Sequence, residues 1–346
     1  MRRLIIIVVA IAALLAAVAG VLYARLDERF QGYEGPEQFV DIPSGSGARA
    51  IGHLLADAGV VRDEWTFRLA VYITGTSRQL KAGEYRFAGP ISPKDVARTL
   101  ARGDIYLRPV TFPEGLSIRE MARLFESRGL GSADAFVTAA SDPGPIAAID
   151  PEAPDLEGYL FPETYNLPRK ASADALVAQM VDRFLRVFDE EKRRLAEERG
   201  LTVRQVMTLA SLVEKETAIP DERPIVAAVY LNRLRIGMPL QADPTVIYAL
   251  AREGQYDGNL TRRNLQFDSP YNTYRYPGLP PGPIAAPGRS AIEAVLAPAQ
   301  VDYLYFVSRN DGSHVFARTL TEHNRNVREW QVEFHRRLRQ QRVAPQ

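Results

Sequence analysis

The feature that most limits how this chain can fold is an uncharged run near its start, residues 4–24. About 20 consecutive apolar residues are enough to cross a bilayer as an α-helix. A signal peptide has a shorter apolar stretch and a small-residue cleavage site. The run therefore predicts an uncleaved transmembrane anchor within residues 1–25. Arg2 and Arg3 favour an N-terminus inside the cell, although two arginines beyond the run weaken that bias, so the rest of the chain is expected outside the cytoplasmic membrane.

Composition narrows the function classes before any motif is considered. Of the 346 residues, 46% are hydrophobic and 25% are charged, which is ordinary for globular domains. The formal net charge of +1 produces no field that would recruit nucleic acid, so no nucleic-acid partner is expected. Because the chain has no cysteine, it has neither a disulfide framework nor a thiolate metal site. Its four histidines lack the spacing of a metal motif, and no metal or cofactor is predicted.

An internal repeat organises the first half of the chain. Segments 42–59 and 112–129 share Pro, Gly, Arg, Leu and a final Gly at the same offsets. Each copy predicts an extended entry, a Pro-Gly turn and an amphipathic helix that ends at a left-handed glycine. Between the copies, residues 83–87 alternate like a strand, and Ser92 is a candidate N-cap for a helix.

These elements predict a small α+β domain over residues 38–130, preceded by a polar linker at 26–37. The pattern of this domain resembles LysM-like modules, and the resemblance implies binding to polymers of N-acetylglucosamine. A spacer domain without a ligand fits the same pattern, so the residues alone leave both interpretations open.

The second half of the chain is predominantly helical. Residues 131–172 are rich in Pro, Ala and Asp and are interpreted as a connecting region. Apolar periodicity predicts one or two helices over 173–198 and another over 203–217. Residues 255–290 contain many Pro, Tyr, Asn and Gly, which is typical of a functional loop, and 303–307 are interpreted as a buried strand.

Two glutamates end an otherwise apolar helix. Glu214 and Glu216 fall near the two edges of its apolar arc, whereas Lys215 points away from it. The negative end of the helix dipole and partial burial both raise the pKa of a carboxyl group there. Such an acid can protonate the leaving oxygen of a glycosidic bond. The periodicity does not choose between the two, and a pair of solvated helix-end glutamates remains an alternative.

Residues 155–330 resemble the endolytic murein transglycosylase (YceG-like) family. The signature is the helix Leu-Ala-Ser-Leu-Val-Glu-Lys-Glu-Thr, followed by five further motifs in the family's order. No motif position departs from the family pattern, and together the motifs are highly specific. The motif segments are 209–217, 229–234, 238–248, 271–274, 278–284 and 323–324.

The resemblance implies a peptidoglycan lytic transglycosylase, which is a lyase. The catalytic group it implies is the glutamate before Thr217, namely Glu216, with Glu214 as the second choice. Glu216 would protonate the oxygen between N-acetylmuramic acid (MurNAc) and N-acetylglucosamine (GlcNAc). The sugar's own C6 hydroxyl would then capture C1 and leave a 1,6-anhydroMurNAc end. One carboxyl suffices because the nucleophile belongs to the substrate.

Supporting roles for downstream polar and aromatic residues are predicted from their chemistry. Amide and hydroxyl side chains can hydrogen-bond sugars, and tyrosine faces can stack on pyranose rings, although each tyrosine is equally compatible with a structural role. Asp243, which precedes a proline, is interpreted as a turn or cap residue. His323 is interpreted as a surface histidine, with a role in the site as the alternative. The predicted substrate-binding residues are Gln241, Thr245, Tyr248, Tyr271, Asn272 and Tyr274.

The sequence thus predicts an α+β chain with an N-terminal transmembrane helix, a LysM-like domain and a mainly helical catalytic domain at 173–340 with an appended strand-containing region. The expected location is the cytoplasmic (inner) membrane, single-pass, with the catalytic domain on the periplasmic or extracellular side. The expected partners are glycan strands, the membrane and peptidoglycan synthases. The expected role is to terminate or trim nascent strands. Two alternatives remain open: a water-using muramidase, and a non-catalytic wall-binding scaffold for glycan synthases.

Overall fold

The chain folds as two units. The structure, a computed structural model, describes residues 2–168, 171–334 and 336, so residues 337–340 of the predicted catalytic domain lie outside the description. The first unit comprises Met1–Pro109 with Asn166–Arg169, and the second comprises Val110–Tyr165 with Lys170–Gln346.

The first unit is a small α+β fold around one antiparallel strand pair. Val40 faces Tyr85 across the pair, and both are buried in a core shared with the helices. Ser92 caps the last helix by accepting a hydrogen bond from the Asp95 backbone N–H. The elements are α1 (Arg2–Asp27), β1 (Gln38–Ile42), α2 (Ala48–Asp57), α3 (Glu64–Thr74), β2 (Gly83–Phe87) and α4 (Pro93–Arg102).

The predicted N-terminal transmembrane helix is wrong. Crossing a bilayer requires length and apolar character together, and no helix within the described residues has both. The prediction rested on the absence of charge over residues 4–24, which is not sufficient. The C-terminal end of α1 packs on its own unit: Leu26 is fully buried, and Lys94 donates to Asp27 at 2.7 Å. Of the predicted fold class, the α+β character stands.

The two copies of the repeat have the same local structure. Each has a strand, a turn with a glycine in the left-handed region, a helix, and a second left-handed glycine after the helix. The turn glycines Gly45 and Gly115 have φ of 80° and 78°, and the terminal glycines Gly59 and Gly129 have φ of 69° and 68°. The second copy belongs to the second unit, so the two units divide the chain between the copies.

The second unit is mainly helical. Its helix α9 packs against α8, α10, α11 and α12. The sequence left one or two helices open over 173–198; the structure has two, because Asp189 caps a new helix by accepting from the Lys192 N–H. The residues of β3 (Arg108–Thr111) and β4 (Thr164–Leu167) are divided between the two units. The other elements of the second unit are α5 (Ile118–Ser127), α6 (Ala133–Ala140), α7 (Ala173–Val187), α8 (Glu190–Glu198), α9 (Val203–Glu216), α10 (Arg223–Arg235), α11 (Asp243–Arg252), α12 (Arg289–Leu296), β5 (Tyr305–Ser308), β6 (His314–Ala317) and α13 (Leu320–Val327).

Helix α9 is the buried axis of the second unit. Every residue from 206 to 213 is buried, as expected for a helix that packs against several others. Thr202 and Gln205 form a capping box at its start, and Thr217 ends it in an extended conformation. The fixed start and the packed middle determine where the last turn, with its two glutamates, emerges.

Candidate active site

Glu216, the last residue of α9, is partly buried and engages the protein through one oxygen. Tyr230 is a buried residue of α10. Its hydroxyl donates to Oε2 of Glu216 at 3.1 Å. Among the described residues, none hydrogen-bonds Oε1. One carboxyl oxygen is therefore oriented by the fold, and the other is left to a ligand or solvent.

The electrostatic surroundings of Glu216 favour its protonated form. Burial raises the pKa of the carboxyl. The hydrogen bond from Tyr230 and the neighbouring His314 and Arg233 oppose this rise without cancelling it, and Asp243 adds to it. Glu216 therefore holds its proton to higher pH than a solvated glutamate does, as a general acid requires.

Arg233 organises the backbone beside this carboxyl. Its Nε donates to the Leu304 carbonyl at 2.6 Å, and its Nη1 donates to the Leu240 carbonyl at 2.6 Å. It thereby ties α10 to the segment before β5 and to the loop that leads into α11. Its guanidinium is committed to carbonyls, so Arg233 acts on Glu216 through its charge and not by direct pairing.

The segment after α9 is fixed by a separate contact between a carboxyl group and an imidazole. Glu222 accepts from the His314 backbone N–H at 2.8 Å, and its Oε2 lies 2.7 Å from His314 Nδ1. The same oxygen accepts from the Thr217 hydroxyl at 3.1 Å. Burial alone would raise the pKa of Glu222, but the hydrogen bonds from His314 outweigh it and lower the pKa. The threonine that follows Glu216 is thus an anchor for the end of α9.

Glu214 has a different environment from Glu216. Its side chain is only 6% exposed, and both oxygens are occupied. Arg223 donates to Oε1 at 3.0 Å, and the Gly288 backbone N–H donates to Oε2 at 2.9 Å. Gly288 is the N-cap of α12, so Glu214 binds a helix N-terminus and a buried guanidinium at once. Burial raises the pKa of Glu214 as it does that of Glu216, so the two differ in that both oxygens of Glu214 are occupied, which is the geometry of a structural carboxyl group.

Three of the predicted substrate-binding residues lie at or contact the start of α11, whose first residue, Asp243, acts on Glu216 through its charge. Gln241 is exposed and has a φ of 49°, an uncommon value for a non-glycine residue. Tyr274 donates to Asp243 Oδ1 at 2.5 Å. The charge of Glu216 is one of the causes that raise the pKa of Tyr274. Thr245 is fully buried, where its hydroxyl donates to the Ala242 carbonyl at 2.7 Å.

Asn272 is fully buried and shapes the tyrosine-rich loop. Its amide donates to the carbonyls of Leu265 and Phe267 at 3.0 and 2.7 Å, and its carbonyl accepts from the Tyr274 N–H at 3.0 Å. The polar groups of Thr245 and Asn272 are thus engaged with the protein backbone. In this structure these two residues position the loop that presents Tyr274.

Of the two remaining predicted tyrosines, Tyr248 belongs to a cleft of about 490 Å³ within the second unit, and Tyr271 lies behind it. Tyr248 lines the cleft and packs against Tyr271, with ring centroids 5.0 Å apart. Arg252 lies over both rings. The Tyr248 hydroxyl donates to Glu157 at 3.1 Å, and the Ile118 backbone N–H donates to the same carboxyl at 3.0 Å. The six predicted residues therefore divide between the surroundings of Glu216, the loop interior and this cleft.

Burial raises the pKa of Glu157 to about 8. The pKa of Glu157 is therefore about 8 in the folded protein and 4.5 in the unfolded chain. Protonated Glu157 contributes its full stability below pH 4.5, and this contribution is lost as pH rises through about 8. Since one pKa unit corresponds to about 1.4 kcal/mol, Glu157→Gln is expected to raise the free energy of unfolding at pH 9, relative to wild type, by up to about 5 kcal/mol. Near pH 4 the two proteins should be equally stable.

Denaturant titrations across this pH range measure the effect. Glu152→Gln is the matched control, because the Glu152 side chain is 87% exposed and its change should leave the pH profile of wild type intact. Identical pH profiles for Glu157→Gln and wild type would show that folding does not raise the pKa of Glu157.

Several residues of the site were not singled out from the sequence. Tyr230 and Arg233 lie inside a recognised motif, and their spacing of three on one helix was the available signal. Asp243, taken for a turn or cap residue, is the first residue of α11 and also acts on Glu216. Glu157 gave no local signal, because its partners Ile118 and Tyr248 are far away in the sequence. Arg223 gave none either, because its partner Glu214 lies on a different helix.

Comparison with known proteins agrees with the motifs. The sequence model of the YceG-like family matches residues 40–329. The endolytic murein transglycosylase of Bacillus subtilis is 33% identical over 305 residues, covering 83% of this chain and 82% of that protein. The endolytic murein transglycosylase of Streptococcus pneumoniae is 32% identical over 326 residues, covering 84% of this chain and 58% of that protein.

A solved structure adds to these relatives. The crystal structure of a yceG-like protein from Listeria monocytogenes aligns with a TM-score of 0.57 at 30% identity, covering 84% of this chain and 98% of that one. By their names, the two curated relatives are enzymes that act on murein. The chain itself belongs to the YceG-like family, and the resemblance predicted from its motifs is confirmed.

Proposed function

We propose that this chain is a lyase of the bacterial cell envelope, a lytic transglycosylase that cuts the MurNAc–GlcNAc bond within peptidoglycan strands and leaves 1,6-anhydroMurNAc ends. The observation that carries the proposal is the state of Glu216. It is a partly buried carboxyl with a raised pKa. Tyr230 hydrogen-bonds one of its oxygens, and the other has no hydrogen-bond partner among the residues that the structure describes. The family membership and the names of the relatives support it.

Glu216 performs both proton transfers in this reaction. It donates its proton to the glycosidic oxygen while the bond from that oxygen to C1 of MurNAc breaks. The C6 hydroxyl oxygen of the same MurNAc bonds to C1, and its proton passes to Glu216. The carboxyl is thereby restored, and no water is consumed. Tyr230 fixes Oε2 throughout, so that Oε1 addresses the substrate.

The finer aspects of the function follow from this activity. Cleavage within strands terminates or trims nascent glycan, which brings the enzyme into coordination with peptidoglycan synthases. Gln241 and Tyr274, beside Glu216, contact the sugars around the cut bond. The first unit adds affinity for wall glycan, and sedimentation of the protein with insoluble walls, with and without residues 38–109, measures that affinity.

The test of the reaction type is cleavage in water enriched in oxygen-18. Capture by the C6 hydroxyl yields anhydro ends without the label, and we expect only these ends. A water-using muramidase is the second candidate, because Asp243 is a second carboxyl whose charge acts on Glu216. If it were the reaction, MurNAc reducing ends would carry the label.

Asp243→Asn separates the two reactions further. In the transglycosylase, Asp243 holds Tyr274 and adds to the raised pKa of Glu216, but it takes no part in proton transfer, and we expect the rate to fall by less than about tenfold. In a muramidase, Asp243 would be the base that activates water, and loss of a general base costs about 10²–10⁴-fold. A loss of that size together with labelled products would replace the proposed reaction by hydrolysis.

A further inference from the structure

The cleft beside Tyr248 has a basic rim that the reaction at Glu216 does not use. Arg119 and Arg123 lie one turn apart on α5 and both line the cleft. Both are exposed, and within the described residues neither has a carboxylate or hydrogen-bonding partner. Lys215 and Arg252 line the same cleft.

The acidic groups of the cleft are already engaged. Glu120 accepts from the Ser117 N–H and hydroxyl at 2.8 Å as part of the α5 capping box. Asp155 accepts from the Glu157 N–H at 2.9 Å. Because burial raises the pKa of Glu157 to about 8, this third acid is uncharged near neutral pH. The lining thus has four basic side chains against three acidic ones, and the raised pKa of Glu157 adds to this excess of positive charge.

The shape and chemistry of the cleft favour a carboxylate-bearing, partly apolar ligand. Arginine binds carboxylates through paired, charge-assisted hydrogen bonds. Val137, Pro244 and Ile247 add an apolar wall. The sugars of a glycan strand carry no charge in their rings or N-acetyl groups. The charged part of peptidoglycan is the peptide attached to the lactyl group of MurNAc.

The cleft also lies at the right place for such a peptide. Lys215 lines it and is the neighbour of Glu216 in the chain, while Pro244 lines it and follows Asp243, which acts on Glu216. Consecutive Cα atoms are about 3.8 Å apart, and an extended peptide spans about 3.3–3.6 Å per residue. A peptide of a few residues on a MurNAc near Glu216 is thus long enough to extend from the catalytic carboxyl toward this cleft.

We propose that this cleft is a subsite for the acidic stem peptide of the glycan strand, with Arg119 and Arg123 binding its carboxylates. The inference rests on the proposed function and specifies its substrate: the enzyme distinguishes peptide-bearing strands from bare glycan. The basic rim makes that distinction through charge, so the preference weakens as ionic strength rises.

The test is the double variant Arg119→Glu/Arg123→Glu, assayed on peptide-bearing strands and on strands whose peptides an amidase has removed. We expect kcat/KM to fall about tenfold or more on peptide-bearing strands and to change less than about twofold on bare strands. Arg119→Lys/Arg123→Lys keeps the charge and should lose less. Arg128→Glu, an exposed site at the end of the same helix that does not line the cleft, should change neither rate.

Equal slowing on both substrates, or no slowing on peptide-bearing strands, would overturn the inference. Binding measured in a Glu216→Gln background separates it from the proposed reaction. If the wild type cleaves nothing but the inactive protein binds peptide-bearing strands through the two arginines, the reaction fails and the subsite stands. If the wild type cleaves both substrates equally well, the reaction stands and the subsite fails.

Discussion

Glu216→Gln is expected to lower the rate of strand cleavage by about a thousandfold to ten-thousandfold, with fold and wall binding retained. Glutamine keeps the shape of the side chain and can still accept the Tyr230 hydrogen bond, but it has no proton to transfer. General acid–base help is worth about 10²–10⁴-fold, and the upper part of that range applies because one side chain acts first as acid and then as base. Mass spectrometry of anhydro ends, with circular dichroism as a check of fold, measures the result.

The pH profile of the wild type gives a second readout of the same group. Burial raises the pKa of Glu216, and its protonated form is the active acid. The rate should therefore fall as pH rises through that raised pKa, and this limb should be absent from the residual activity of Glu216→Gln.

Two outcomes would contradict the assignment of Glu216. If Glu216→Gln cleaves near the wild-type rate while Glu214→Gln does not, the acid is Glu214. If neither change slows cleavage, the helix is not catalytic, and the non-catalytic wall-binding scaffold becomes the better proposal.

The choice between these two glutamates shows where sequence reasoning stops. Periodicity correctly put both at the edges of an apolar helix, because burial along one helix depends on local spacing. It did not distinguish them, because what distinguishes them is distant in the chain. Glu214 binds Gly288, 74 residues away, whereas Glu216 is held by Tyr230 on another helix.

Residue type was a weaker guide than periodicity. Thr245 and Asn272 were chosen as sugar ligands because of their hydroxyl and amide groups, yet both are fully buried and hydrogen-bonded to backbone. Buried polar groups need partners, and in a proline-rich loop with few regular hydrogen bonds the nearest partners are the loop's own carbonyls. Composition cannot reveal this competition. The anchor prediction was wrong for a different reason, since it took the length and the missing charge of residues 4–24 as sufficient.

Glu214→Ala is expected to lower the free energy of unfolding of the second unit by about 3 kcal/mol or more. The substitution removes the 3.0 Å partner of Arg223, whose side chain is only 9% exposed, and frees the Gly288 N–H. Breaking a buried ion pair from one side costs about 3–5 kcal/mol, because the remaining charge stays buried and unpaired. Glu114, 3.6 Å from Arg223, compensates in part, which favours the lower end of the range. Denaturant unfolding measures the change.

The matched control is Glu293→Ala on α12. Glu293 pairs with Arg289 at 3.9 Å, and both side chains are about half exposed, so its loss should cost no more than about 1 kcal/mol. Equal losses for the two variants would mean that Glu214 does not stabilise the second unit through Arg223 and Gly288.

If Glu214 and Glu216 have the separate roles we propose, Glu216→Gln lowers the rate without lowering stability. Glu214→Ala lowers stability, while the protein that remains folded still generates anhydro ends. Their neighbouring positions on one helix make this contrast informative, since any effect of disturbing the helix end as such would appear in both variants.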